Sequence, residues 1–171
     1  MMRIPVFVSC PTQLGPGQEA SRKVIVDLLD ELHLEPRALG RSDYPDEYPL
    51  REVWVIARHC SGGVILGFEQ CLAIRGTWKR GTAEEAKFGS ENPASFPTPW
   101  NYLEAGILFG LQLPLLIFKE AGISGGVFDP GVTDVFIHKM PRPRMPAKEF
   151  RALKAVFLKW HGKVSQHYYG G

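Results

Sequence analysis

The sequence predicts an α/β protein built on an open, doubly wound parallel sheet of about five strands. Short, nearly all-apolar runs alternate with stretches whose apolar residues recur every three to four positions, the order expected of strands and covering helices. The runs are also too apolar for a sheet with one wet face. The 171 residues suffice for one well-buried core and fall short of two, so residues 1–171 are read as a single α/β domain.

Ile4 to Cys10 reads as the opening strand, ended by Pro11 and a loop holding Gly15, Pro16 and Gly17. Ala20, Val24, Leu28 and Leu32 recur at helical spacing, with Ile25 and Leu29 beside them, which predicts an amphipathic helix over residues 18–34. Glu35 to Leu39 is a second strand, and Pro36 places it near a sheet edge. After the polar stretch at residues 40–49, a helix is expected from about Leu50 to His59, broken by Ser61-Gly62-Gly63 before a third strand at Val64 to Phe68.

Residues 69–98 are polar, Gly-rich and longer than an ordinary connection, and read as a loop that could serve as a lid. Thr98 caps the next helix and Pro99 takes its first position; it continues to about Leu111. Leu113 to Phe118 is a fourth strand and Val135 to His138 a fifth. A last helix over residues 147–166 carries Phe150, Leu153, Val156, Phe157 and Trp160 on one side. The alternation favours flavodoxin-like strand order, with a ligand crevice at the carboxyl ends of the strands.

Charge is unevenly spread. Residues 138–171 hold eight of the 20 Lys and Arg but only Glu149 among the 18 Asp and Glu, giving a basic C-terminal helix on a mildly acidic body. It lacks interleaved aromatics or a recognisable nucleic-acid module, which argues against nucleic acid as partner. Cys10, Cys60 and Cys71 are odd in number and have no metal-ligand spacing, so neither a disulfide framework nor a structural zinc site is expected. With no apolar run near ~18 residues and no signal-peptide core, a soluble cytoplasmic protein with no membrane association is the expectation.

The chemistry is concentrated in PTPWNYLEAGILFGLQLPLLIF, residues 97–118. Trp100 and Glu104 are four apart and share a helix face that is otherwise apolar, with Asn101, Glu104 and Gln112 the plainly polar positions. A Glu so placed loses hydration, and its pKa rises unless a cation or donor answers it. The helix follows a strand and a long loop, which puts Glu104 near the crevice, where perturbed carboxylates are functional candidates. The structural alternatives are a buried pair with Arg41 or Arg58, or a side chain that reaches solvent.

Three segments carry a resemblance. VFVSC, RALGRSDYPDEYPLREVWVIARHCSGGVILGF, and the W-x-x-x-E motif leading into EAGILFGLQLPLLIF together resemble the TIR domain and its relatives, the nucleoside 2-deoxyribosyltransferase-like hydrolases, over about residues 4–118. The resemblance implies a flavodoxin-like fold and a Glu, here Glu104, that cleaves the nicotinamide–ribose bond of NAD or attacks the sugar of a nucleoside. It implies no cofactor, with NAD as a substrate, and a homo-oligomer or assembly role in some members. Against that pattern residues 69–98 are long, Pro11 follows the first strand closely, and residues 122–132 have no counterpart.

Glu104 is therefore the candidate catalytic residue, and Ser9, Trp100, Asn101, Arg41, Tyr44 and Phe68 are the candidate substrate-binding residues. Ser9 and the Gly15-Pro16-Gly17 turn precede a helix N-terminus that could receive a phosphate or ribose hydroxyl. Arg41, Asp43 and Tyr44 occupy the loop after the second strand, and Phe68 could stack on a base or pack in the core. Trp78 and Phe96 could close over a ligand or meet another protomer. Cys10, beside Ser9, reads as a small buried apolar group. The expected partner is a nucleotide or nucleoside, and the expected activity N-glycoside cleavage. The alternatives are a deoxyribosyltransferase-like hydrolase and a non-catalytic nucleotide-sensing or assembly module.

Overall fold

The computed structural model describes residues 3–43 and 48–170. In chain order the elements are β1 (Ile4–Ser9), α1 (Pro16–Glu31), β2 (Leu34–Arg37), α2 (Pro49–Arg58), β3 (Gly63–Gly67), β4 (Cys71–Ala73), β5 (Gly76–Trp78), β6 (Ala86–Phe88), β7 (Ala94–Phe96), α3 (Pro99–Gly110), β8 (Leu115–Lys119), β9 (Ile137–Lys139) and α4 (Ala147–Gly170). The central sheet has five strands in the order β2-β1-β3-β8-β9, all parallel, as a flavodoxin-like fold requires.

Strand parity explains why helices cover both faces. Val6, Val8, Val64, Leu66, Leu116 and Phe118 point to one side, where Ile25 and Leu29 of α1 and Phe157, Trp160 and Val164 of α4 complete the core. Phe7, Ile65, Leu115 and Ile117 point to the other, against Val53 and Ile56 of α2 and Ala105 and Leu108 of α3. Each large side chain so buried contributes roughly 1.5–3 kcal/mol of transfer free energy. Pro36 lies in β2, a sheet edge, where its missing N–H deprives no ladder of a bond. Among the described residues, no helix is long and apolar enough to cross a membrane.

The segment expected to be a loop, residues 69–98, is instead a folded arm of two nested antiparallel ladders. β4 pairs with β7 (Cys71 opposite Phe96), and within it β5 pairs with β6 (Gly76 opposite Phe88). Trp78 packs on Phe88 and Phe96, with ring centroids 5.4 and 5.7 Å apart. These aromatics therefore knit the arm to itself.

Other differences are shifts of element ends. β8 begins at Leu115 instead of Leu113: Pro114 has no N–H to give a ladder, though its carbonyl accepts from the Gly63 N–H and the Trp160 indole N–H. α4 runs on to Gly170, carried by the buried Val164.

Gly67 ends β3 where a β-carbon would stand 2.5 Å from Cε1 of Phe128. Phe128 is fully buried and set edge-on to Tyr102, so it has little room to yield. Gly67→Ala is expected to lose about 1–3 kcal/mol of stability, read as a lower urea midpoint. An unchanged midpoint would show that the Phe128 ring can move.

Candidate active site

β1 and β3 are neighbours whose following connections run to opposite edges of the sheet, and ligands of such folds bind at the carboxyl ends beside that point. Ser9 ends β1, and its side chain follows the parity of Phe7 toward the face covered by α3. α3 begins there because Thr98 caps it, its Oγ1 accepting the Trp100 N–H at 3.3 Å, and because Pro99 has the required φ. Asn101 and Glu104 follow one turn apart on the buried side of the helix.

Glu104 is 8% exposed. Its Oε2 accepts a 2.5 Å hydrogen bond from Ser9 Oγ, and no Lys or Arg pairs with it among the described residues. Burial pushes its carboxyl up to about 7, a rise that the Ser9 hydrogen bond opposes. Asn101, fully buried, donates from Nδ2 to Ser9 Oγ at 2.8 Å and lies 3.3 Å from the main-chain oxygens of Ser9 and Leu66. It ties the ends of β1 and β3 together and reaches Glu104 only through Ser9.

Glu104 lines a cavity of about 450 Å³ together with Trp100, Cys10, Gln13, Gly40 and Gln70. That volume falls in the range of small-molecule sites, roughly 300–1,000 Å³. Trp100 is 40% exposed and leaves part of its ring open to a ligand. Cys10 is no competing nucleophile: burial pushes its thiol up to about 12, outweighing the nearby Arg41, and its Sγ lies 3.5 Å from the Pro11 carbonyl.

The remaining sequence candidates are placed otherwise. Arg41 forks onto Glu19 through both terminal nitrogens and donates from Nε to the Pro11 carbonyl at 2.9 Å, so it braces the loop after β1. Asp43 is paired with Arg37. Phe68 is fully buried with Val64 and Leu66, and its ring has no face open to a ligand. The Gly15 N–H is taken by Gln18 Oε1 at 3.2 Å. Tyr44 lies outside the described residues.

A second polar cluster, which no sequence motif marks, stands at the same sheet edge. Glu120 Oε2, just after β8, accepts the Glu69 N–H at 2.6 Å and a Gln18 amide hydrogen at 2.9 Å, while Ser95 Oγ donates to Glu69 Oε2 at 2.5 Å. It fastens the arm to the sheet and so places Gln70 in the cavity wall. Its members are scattered polar residues with no shared spacing, which leaves no sequence signal. Among the described residues, no three His, Cys, Asp or Glu side chains are grouped to hold a metal ion. No protein-family model, curated protein or solved structure matches the chain.

The raised Glu104 carboxyl has a consequence for stability. Unfolded, it titrates at the ordinary value of 4.5; folded, at about 7. Between these, the folded chain holds a proton that the unfolded chain has released, so stability falls as pH rises through the window. Above pH 7 the full penalty is present, on the order of 3 kcal/mol. Glu104→Gln, neutral throughout, should unfold at higher denaturant than the parent at pH 8 and alongside it near pH 4. A gap that is the same at both pH values would mean that Glu104 is not titrating in the folded protein.

Proposed function

We propose that the protein is an N-glycosidase acting on a nucleotide or nucleoside, with the nicotinamide–ribose bond of NAD as its target. The reading rests on one observation: a buried carboxyl without a counter-charge among the described residues, on the wall of a cavity at the carboxyl end of a parallel sheet. The similarity of W-x-x-x-E and its surroundings to TIR and deoxyribosyltransferase-like proteins supports it.

In this reaction the bond between the anomeric carbon and the base nitrogen breaks, and its electron pair leaves with the base. When the base is the cationic nicotinamide ring it departs neutral, so it needs no proton from the protein. The sugar is left as an oxocarbenium-like cation, which the ionised Glu104 stabilises through space or captures as an ester. Water then adds to the anomeric carbon and loses a proton. Trp100, one turn before Glu104 and partly exposed, offers an aromatic surface in the same cavity wall. The carboxylate is needed in its charged form, so activity should rise with pH through neutrality.

Incubating the purified protein with NAD and following nicotinamide release tests this. Glu104→Gln is expected to lower turnover by about a hundredfold or more, and equal turnover would overturn the assignment. A panel of nucleosides, read by base release, distinguishes the deoxyribosyltransferase-like alternative.

An assembly module is the second reading, favoured by an apolar groove between α2 and α3. Leu50, Trp54 and Val55 of α2 and Leu103 of α3 are each 42–50% exposed around it. Sedimentation with and without nucleotide separates the readings: nucleotide binding without cleavage in every oligomeric state favours the module.

A further inference from the structure

The hydrogens around Ser9 can be placed from the acceptors alone. Asn101 Nδ2 faces two main-chain carbonyls, those of Ser9 and Leu66, and carbonyls only accept. The group turned toward them is therefore the NH2, and the amide oxygen points away. That oxygen, Oδ1, is buried with no hydrogen-bond partner. An orphaned buried acceptor is unfavourable and calls for a reason; the three acceptors crowded on Nδ2 supply it. With Asn101 donating to Ser9 Oγ at 2.8 Å, the hydroxyl has one proton left to give, and Glu104 Oε2 stands 2.5 Å away.

We infer that Asn101 is a positioning residue: its NH2 takes one lone pair of the Ser9 hydroxyl and cannot accept in return, so the hydroxyl proton is turned to Glu104 Oε2 and Ser9 is held as the donor of that pair. Oε2 then accepts in both protonation states, and Oε1 alone takes up or releases the proton. Nothing else described can set this polarity. From the loop after β1, Cys10 stays neutral across the physiological range. Arg41, behind that loop, is spent on Glu19 and the Pro11 carbonyl. The wall segments following β2 and β3 contribute Leu39, Gly40 and Gln70, none of them ionisable.

An infrared difference titration of the full chain, with the Glu104 carboxyl band identified by its loss in Glu104→Gln, tests the relay. In Asn101→Ala the Ser9 hydroxyl is free to turn and accept from the protonated acid. The Glu104 midpoint should then move up by about 1 pH unit. Ser9→Ala should also raise it, and adding Asn101→Ala to Ser9→Ala should change nothing more. An Asn101→Ala displacement of equal size in both backgrounds, or none with Ser9 present, overturns the inference.

Ser9→Ala removes only a hydroxyl and gives an independent reading if Asn101→Ala does not fold. The carbonyl band of the protonated acid should move to higher frequency as it loses its donor, whereas an unmoved band would mean the acid had been donating to Ser9. The bearing on turnover rests on the glycosidase reading; the titration does not. A displaced midpoint without nicotinamide release removes only that reading, and release with an undisplaced midpoint removes only the relay.

Discussion

The Ser9–Glu104 hydrogen bond is the contact on which the site depends, because among the described residues it is the one direct answer to a carboxyl buried without a cation. A guanidinium in its place would hold the group ionised but cancel its charge. No partner at all would push it further up, toward the neutral form. One hydroxyl lies between these limits and leaves the acid near neutrality, able to exist in either form. The fold sustains this because both partners stand on regular elements, the end of a central strand and the second turn of a capped helix.

A contrast at the same sheet edge shows what a purely structural carboxylate looks like. Glu120 accepts from a main-chain N–H and a side-chain amide through one oxygen, and Glu69 accepts from Ser95; both join segments far apart in sequence. Their hydrogen bonds serve attachment, holding a polar arm whose strands are only three residues long. Strands that short do not hold together by ladder bonds alone. The Trp78, Phe88 and Phe96 contacts and the Glu69 anchorage supply the rest.

How far the sequence was legible follows from the same physics. The parallel sheet could be read because its strands are buried on both faces and so nearly all apolar, and α3 because Thr98-Pro99 is a strong start signal. Glu104 stood out as a charge in an apolar stripe. The arm stayed hidden because three residues give too little alternation to register, and nested pairing is set by distant contacts. Phe68 was open to a better reading: it shares the parity of Val64 and Leu66, which face α1 and α4, while Glu104 arrives from the other side. The sequence offers Asn101 as a substrate contact, but its complete burial and its three acceptors make it part of the scaffold.

The placement of Arg41 bears on selectivity. Its guanidinium fixes the loop that supplies Cys10, Pro11 and Gln13 to the cavity, yet its charge is answered by Glu19, so Glu104 keeps its own uncompensated. A cavity whose described walls carry that single ionisable oxygen pair and a neutral thiol favours cations. On the glycosidase reading, a nicotinamide ring is attracted before reaction as well as during it, whereas a neutral nucleoside gains only as its bond breaks. Attraction common to ground and transition states tightens binding without raising the rate of the chemical step. On that reading the carboxylate would have to act from beside the anomeric carbon instead of the ring, and the bond that holds Oε2 to the end of β1 fixes where the carboxylate stands.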